Sequence, residues 1–491
     1  MNAIIKQYYY YFVAALIVVV SFLLYSSNFY PSLNSDDALN ILMAHYYDFP
    51  NEIYYWHQNR GGGIIPLIAQ IFIQLFGCKA ITAVSVSNYL MLILGYCGFA
   101  SLFKKNNIKI LFAVIWFLPF QRFVDITRFY VGMEYCIIGI AVWLINLLYK
   151  AKWRSTKWHL LFISVILILT IAVWVLDTAA FSIAILIVTL WIYSRKLRIK
   201  PAVMIYVAVG IAFCWFAIHF AKSFTSVTCE HCTQINNLSD VVKAIDILIA
   251  KYKDVLLFRT NEIMVSSYFW AVCAFLIAFA VFLSRKSRLQ IIIREKWITF
   301  FILDFLAFFG IYLLSHHVLL NDMGRWYYVA NYISLSIAIL LIIDRLQDDK
   351  KIRFFRYAVW IIALIGAISP YYTLKVSYQQ PWKPKAEVVS ELQQLGNIGI
   401  IAEYWNAYIV SIENPEQVKS TPHQDDWEWR RNKDLVKQTM ERDNIYVIKD
   451  MWLKTFPDTL HQFGYTLLKD GNQFRLADSW LCKYRKISNT K

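Results

Sequence analysis

The fold class predicted for this chain of 491 residues is an all-α polytopic membrane domain followed by a small α/β domain outside the cytoplasm. Three observations predict it. Apolar stretches long enough to cross a bilayer recur along the first three-quarters of the chain, the Lys and Arg residues gather between those stretches, and the composition turns polar after Pro370.

Hydrophobic residues make up 58% of the chain. A helical span needs about 20 consecutive apolar residues to cross about 30 Å of hydrocarbon. The stretches here are too long for barrel strands and lack a period-2 alternation, so helices are expected. Spans are predicted near 8–27, 80–103, 109–121, 130–149, 159–176, 179–194, 201–220, 266–284, 297–315, 327–343 and 356–374, about eleven in all. The stretch 109–121 is short, as a tilted or re-entrant segment would be. Residues 8–27 read as a first span rather than a signal peptide, because no small-residue cleavage site follows them.

The net charge of +16 could suggest nucleic acid. The basic residues, however, fall into short clusters between spans and form no face elsewhere, which excludes that class. With the N-terminus in the cytoplasm, the inner loops hold Lys104, Lys105 and Lys109; Lys150, Lys152, Arg154 and Lys157; Arg195, Lys196, Arg198 and Lys200; Arg285, Lys286, Arg288, Arg294 and Lys296; and Arg345, Lys350, Lys351, Arg353 and Arg356. All five inner loops are basic, as the positive-inside rule requires. An odd span count then places residues 380–491 outside the cytoplasm, after a transmembrane domain of residues 1–375. In the first outer segment the apolar run from Ile64 to Phe76 is short for a span and starts at Pro66, so a helix lying at the interface is expected.

Pro381 and Pro384 mark a linker. Beyond it the pattern predicts a helix over Val388 to Leu395 and strands at Ile398 to Ile401 and Tyr446 to Ile448. A helix is predicted over Trp452 to Phe463, and a hairpin pairing Tyr465 to Lys469 with Phe474 to Leu476 around Asp470-Gly471-Asn472.

The candidate chemistry lies in the outer segments. Asp36 and Asp37 follow Asn34-Ser35 and precede an apolar helical run. One acid suffices to favour a helix N-terminus, and adjacent carboxylates also suit a general base and its partner. In Trp56-His57-Gln58-Asn59-Arg60-Gly61-Gly62-Gly63 the glycines allow close backbone approach to a ligand and Arg60 could bind phosphate, against the alternative of a plain turn beside belt aromatics. Arg325, at the mouth of a late span, suits a phosphate clamp, against a snorkelling arginine. His316 and His317 precede it. Arg122, Asp125, Arg128 and Glu134 offer charge near the membrane boundary, where a structural ion pair is the plainer reading. For Cys229-Glu230-His231-Cys232 an oxidising compartment favours a disulfide or no special role, and a zinc site would need further ligands, since no second pair of cysteines with that spacing exists. Tyr404-Trp405-Asn406-Ala407-Tyr408 and Trp427-Glu428-Trp429-Arg430-Arg431 could stack on sugar faces or simply pack.

This arrangement of a first span, an acidic first outer loop with an interfacial helix, Arg325-Trp326-Tyr327 opening a late span and a terminal domain outside the cytoplasm resembles the GT-C superfamily of membrane glycosyltransferases. Ser35-Asp36-Asp37-Ala38-Leu39 and Tyr55-Trp56-His57-Gln58-Asn59-Arg60-Gly61-Gly62 resemble, more narrowly, the serotype-converting O-antigen glucosyltransferases of bacteria and their phages. The resemblance implies a bacterial inner-membrane enzyme that moves a sugar, glucose in the narrower family, from a polyprenyl-phosphate donor to a lipid-linked or polysaccharide acceptor, with inversion. It implies Asp36 or Asp37 as catalytic base and Arg325, Arg60 and Arg128 on the donor phosphate. Trp56, His57, Glu134, His317 and Trp405 would contact substrate. Some members of the superfamily use a divalent metal and others do not, so the resemblance leaves a divalent metal open and implies no other cofactor. Two rival classes are an O-antigen polymerase or ligase, which by resemblance places its key residues in central outer loops, and a lipid-linked glycan transporter, for which charges such as Asp304 would lie mid-span.

Overall fold

The computed structural model describes residues 3–128, 130–193, 201–225, 230–260, 262–346, 350–377 and 382–487. They divide into two units. The first, helical unit comprises Met1–Phe22, Tyr89–Lys222 and Cys229–Gln379; the second comprises Leu23–Asn88, Ser223–Thr228 and Gln380–Lys491.

This is a multi-pass membrane protein. Among the described residues eight helices are long and apolar enough to cross a membrane: Ala80–Ala100, Gly132–Lys150, Thr156–Val175, Pro201–Lys222, Ile263–Leu283, Lys296–Leu314, Arg325–Arg345 and Ile352–Lys375. A ninth would be Asn106–Phe117 taken with the turn Gln121–Thr127, although the two are bent by 93°. Pro119 between them removes a backbone donor and ends the helix, which accounts for the short predicted stretch at 109–121. Of the two remaining expected spans, the first is the helix Ala3–Tyr25 of 23 residues, and Ala179–Tyr193, with its 15 residues, falls short. Fifteen residues rise only about 22 Å, less than the hydrocarbon thickness.

Packing inside the helical unit uses small residues. A Cβ placed at Gly98 would lie 2.0 Å from the Gly139 carbonyl oxygen, and one at Gly95 would lie 2.6 Å from Cys136 Cα. The two backbones therefore touch, as small residues permit where lipid offers no hydrophobic drive for helix association. Polar bonds add to this. Asp304, fully buried, accepts from Tyr135 Oη at 2.5 Å, Ser182 Oγ at 2.6 Å and Ser334 Oγ at 2.5 Å. Its carboxylate thus ties four helices together, a structural use of the mid-span acid that a transporter reading would draw on. The segment 221–265, between two expected spans, contains a helix at Leu238–Leu256. Asn237 caps it by accepting from the Asp240 N–H at 3.0 Å. Leu238, Val242 and Ile249 are exposed along it.

In the second unit a seven-stranded sheet holds the C-terminal residues. Its strands are β1 (Ile398–Ala402), β2 (Val418–Pro422), β3 (Asn444–Lys449), β4 (Thr459–Gln462), β5 (Tyr465–Lys469), β6 (Phe474–Leu476) and β7 (Ser479–Ile487). The order is β2-β1-β3-β7-β5-β4, with β6 also on β7. The pairs of β1 with β2 and β3 are parallel; the rest are antiparallel. β1 and β3 were expected. Two expectations fail. Trp452 to Phe463 is not a helix: Pro457 interrupts it, and its end is the strand β4. Nor do β5 and β6 pair with each other. The hairpins are β4–β5 and β6–β7, closed by the two-residue turns Phe463-Gly464 and Ala477-Asp478, with all four central residues at positive φ. That backbone matches the twist of paired strands even though Ala and Phe seldom signal it.

Residues 23–88 fold onto this C-terminal part as members of the same unit. Lys385 N–H donates to Tyr30 O at 3.0 Å, Tyr46 Oη donates to Pro415 O at 2.7 Å, and Lys79 pairs with Glu413. The helix Ile64–Phe76 forms where an interfacial helix was expected, and Gly77 at φ 63° ends it in the left-handed region. Leu67, Ile71, Leu75 and Phe76 are exposed on it.

Candidate functional site

In the second unit the site starts at the helix Ser35–His45. Asn34 is its N-cap, accepting from the Asp37 N–H at 2.9 Å, while Asp37 accepts from the Asn34 N–H at 3.2 Å. This reciprocal cap satisfies two helix-end donors. It also fixes Asp37, which is buried, in a structural task. Asp36 is half-buried and faces differently. Its Oδ1 accepts from Tyr404 Oη at 2.5 Å, and its carbonyl accepts from Tyr55 Oη. Ser35 Oγ donates to the Tyr404 carbonyl. Tyr404 is buried, and burial followed by the charge of Asp36 holds its phenol far above the usual range, so it remains a donor.

The stretch rich in glycine is a closed loop rather than an open cradle. Tyr55 N–H donates to Gly61 O at 2.9 Å and Gly63 N–H to Ile53 O at 3.0 Å. Gly61 takes φ 70°, which only glycine adopts without strain. Trp56 is buried with its ring edge-on to Tyr408, the centroids 5.1 Å apart. The His57 side chain lies outside the described set. Arg60 lies over the Trp429 ring, 5.2 Å from its centroid, and its Nε donates to Gln58 Oε1 at 3.3 Å. Trp405 is partly exposed beside Tyr404. The unit thus brings Asp36, Asp37, Trp56, Arg60 and Trp405 onto one framework.

Glu52, in the same loop, was missed by the sequence reading. It is 5% exposed, and burial, aided by the charges of Asp48 and Asp434, pushes its carboxyl up to about 8. A lone Glu in a polar loop carries no sequence signal of burial. The raised value means the folded chain prefers the proton there. Stability from this group is full below the ordinary carboxyl range near 4.5 and falls as pH rises through about 8. Glu52→Gln, which mimics the neutral form, should leave the thermal midpoint of purified protein unchanged at pH 5. At pH 9 it should raise it above wild type by an amount corresponding to a few kcal/mol. Parallel melting curves across pH 5–9 would exclude a titrating Glu52.

The helical unit holds the other candidates. Arg325 opens the turn Arg325–Tyr328. Its Nη1 lies 3.3 Å from Asp125 Oδ2 and donates to Arg122 O at 2.9 Å. Arg128, buried, has Nη2 3.6 Å from the other Asp125 oxygen. Arg122 pairs with Glu262. Asp125 therefore gathers two cations, while Arg122 finds its carboxylate 140 positions away. Glu134 is buried and accepts from Thr178 Oγ1 at 3.1 Å. His317 Nδ1 lies 3.6 Å from Cys232 Sγ, and its ring meets Tyr327. Cys232 is disulfide-bonded; Cys229 lies outside the described residues. Among the described residues no group of three or more His, Cys, Asp or Glu side chains is placed to hold a metal ion.

The helical unit also holds a partly open cavity of about 240 Å³. Its walls include Phe120, Phe123, Tyr252, Tyr268, Tyr328 and Tyr332, and the rest are mostly aliphatic or phenylalanine. Phe123 follows Arg122 directly, and Tyr328 shares a turn with Arg325. Guanidinium groups thus stand on the same two short turns whose neighbouring rings line an apolar space.

No family model matches the chain, and no curated protein matches it. Among solved structures it is similar to apo ArnT from Cupriavidus metallidurans, with 9% identity and a TM-score of 0.44 over 97% of this chain and 98% of that one. It is similar to the same protein bound to undecaprenyl phosphate, with 9% identity and a TM-score of 0.43 over 98% of each chain. A third is the Archaeoglobus fulgidus oligosaccharyltransferase tethered to an acceptor peptide, with 12% identity and a TM-score of 0.45 over 91% of this chain and 70% of that one.

Proposed function

We propose that the chain is a membrane glycosyltransferase of the GT-C kind, moving a sugar from a polyprenyl-phosphate donor to a glycan acceptor. The observation that carries the reading is the apolar aromatic cavity of the helical unit with Arg122 and Arg325 on its bordering turns. A polyprenyl phosphate has that composition, a long apolar chain ending in an anion. An apolar pocket with a few placed polar groups is the usual form of a small-molecule site.

The roles follow from the chemistry. Arg325, partly exposed, receives the donor phosphate through charge-assisted hydrogen bonds; Arg128 and Arg122 add positive field. Asp36 takes the proton of an acceptor hydroxyl. The hydroxyl oxygen attacks the anomeric carbon from the face opposite the leaving group. The bond from that carbon to the phosphate oxygen breaks, and polyprenyl phosphate leaves with the electron pair. Configuration inverts, and the proton remains on Asp36. Stabilising charge on the departing phosphate is the largest contribution asked of the protein. In the narrower form of the proposal the sugar is glucose, the acceptor is O-antigen, and the reaction runs at the outer face of a bacterial inner membrane, with the basic loops in the cytoplasm.

The test is a transfer assay in membranes with a panel of undecaprenyl-phosphate hexoses and lipid-linked O-antigen. Gly366→Leu, which fills the cavity wall, should raise the donor KM by roughly tenfold, about the effect of one badly placed apolar group. Absence of transfer from every donor in wild-type protein would remove the reading.

A further inference from the structure

The second unit contains a cluster that the donor chemistry does not use. Arg430, in the turn Glu428–Arg430, has its guanidinium carbon 4.6 Å from the Tyr404 ring centroid, 4.8 Å from Trp427, 5.0 Å from Trp429 and 5.5 Å from Trp405. Its Nη1 lies 3.3 Å from Asp426 Oδ1. A cation so placed holds the rings in a fixed arrangement through their negative faces. The arrangement leaves Trp405 36% and Trp427 48% exposed. Exposed indoles on a rigid frame are a recurrent mark of a binding surface.

The polar rim decides what they bind. Glu403 lies beside Asp426 and Asp450, and the Glu403 N–H donates to Asp450 Oδ2 at 2.7 Å. Burial, then the charges of Asp450 and Asp426, push the Glu403 carboxyl up to about 6. Carboxylates of Glu403, Asp426 and Asp450 offset the charge of Arg430 and of Arg60, which lies over Trp429, so the rim carries both signs and has no strong pull on an anionic ligand. They suit a ligand with many hydroxyl donors. A neutral pyranose has these along its edge and apolar C–H groups on its face.

We propose that Trp405 and Trp427, with Arg430, Glu403 and Asp426, form a subsite for a neutral pyranose of the acceptor glycan. The sugar face stacks on the indoles and its hydroxyls donate to the carboxylates. The proposal rests on the transferase reading for the identity of the glycan as acceptor. The short helix Tyr404–Ala407 that carries Trp405 also bonds Asp36 through Tyr404, so one rigid element serves the sugar subsite and the proposed base.

The experiment uses the full-length protein in detergent, without donor. Tryptophan fluorescence is titrated with neutral di- to tetrasaccharides containing glucose, galactose, N-acetylglucosamine or rhamnose. Wild type should show saturable change with at least one of them, and Trp405→Ala and Trp427→Ala should each weaken it by about tenfold. Trp405→Phe should recover most of the loss, and thermal midpoints identify any variant that has merely unfolded. In the transfer assay the alanine variants should raise the acceptor KM about tenfold with the donor KM within about twofold. No saturable binding by wild type, as expected of indoles that only touch lipid, overturns the subsite; so does folded Trp405→Ala, Trp427→Ala protein that binds as wild type does. Transfer absent while glycan binding persists would instead overturn the transferase reading and leave the subsite standing.

Discussion

Asp36→Asn is expected to lower sugar transfer by roughly 10²- to 10⁴-fold, the span usual for loss of a positioned general base. Asp37→Asn is expected to cost far less in rate and to lower the thermal midpoint instead. The asymmetry comes from the cap. Asp37 is buried and closes the reciprocal bond with Asn34, so its carboxylate is committed to the helix end. Loss of a cap costs on the order of 1 kcal/mol. Asp36 is half-buried and held by Tyr404, whose O–H fixes one carboxylate oxygen. An asparagine there keeps the shape and can still accept from Tyr404, but it cannot take a proton. The check is kcat for both single variants and the double variant in the membrane assay. Full transfer by Asp36→Asn, or equal losses in the two single variants, would end the assignment.

How far this site could be read from the sequence depends on the range of each interaction. The cap at Asn34 and the acids after it are local, so the helix start was legible from a few residues. Hydropathy located most spans for the same reason, since length and composition are local properties. Tyr404 reaches Asp36 across 368 positions, and no periodicity announces such a bond. The choice between two adjacent acids was therefore out of reach. Arg325 was singled out, yet its two partners, Asp125 and the Arg122 carbonyl, come from a distant turn. In the sheet, Asp470-Gly471-Asn472 has the composition of a hairpin turn, whereas the chain turns at Phe463-Gly464 and Ala477-Asp478. There the pairing of β7 with β3, β5 and β6 overrides the local preference. Glu52 shows the same limit from another side, because burial of a loop carboxyl is a property of what folds over it.

Arg325→Ala is expected to lower kcat/KM for the donor by about 10²- to 10³-fold, the loss found when one donor to a developing negative charge is removed. Arg325→Lys should recover only part, since an ammonium lacks the planar fork that grips two phosphate oxygens. The structure gives Arg325 a carboxylate, Asp125, at 3.3 Å, and leaves the side chain 37% exposed. Water at that exposure weakens the pair, as it does for most accessible ion pairs. A phosphate ester bearing its own charge can then compete for the guanidinium, while Asp125 retains Arg128, which is only 3% exposed. This exchange separates a phosphate-binding role from a structural one. If Arg325 holds the phosphate, Arg325→Ala should weaken binding of undecaprenyl phosphate alone, with no sugar and no acceptor present, by a factor comparable to the rate loss. If the arginine only ties two turns together, the thermal midpoint should drop while the affinity of the folded fraction for undecaprenyl phosphate stays at the wild-type value. Because Asp125 balances both arginines, Asp125→Ala should leave the buried Arg128 without that partner and destabilise the protein more than Arg325→Ala does. The ordering of those two midpoints tests whether the cluster is arranged as one counter-charge for a structural arginine and a second arginine available to substrate.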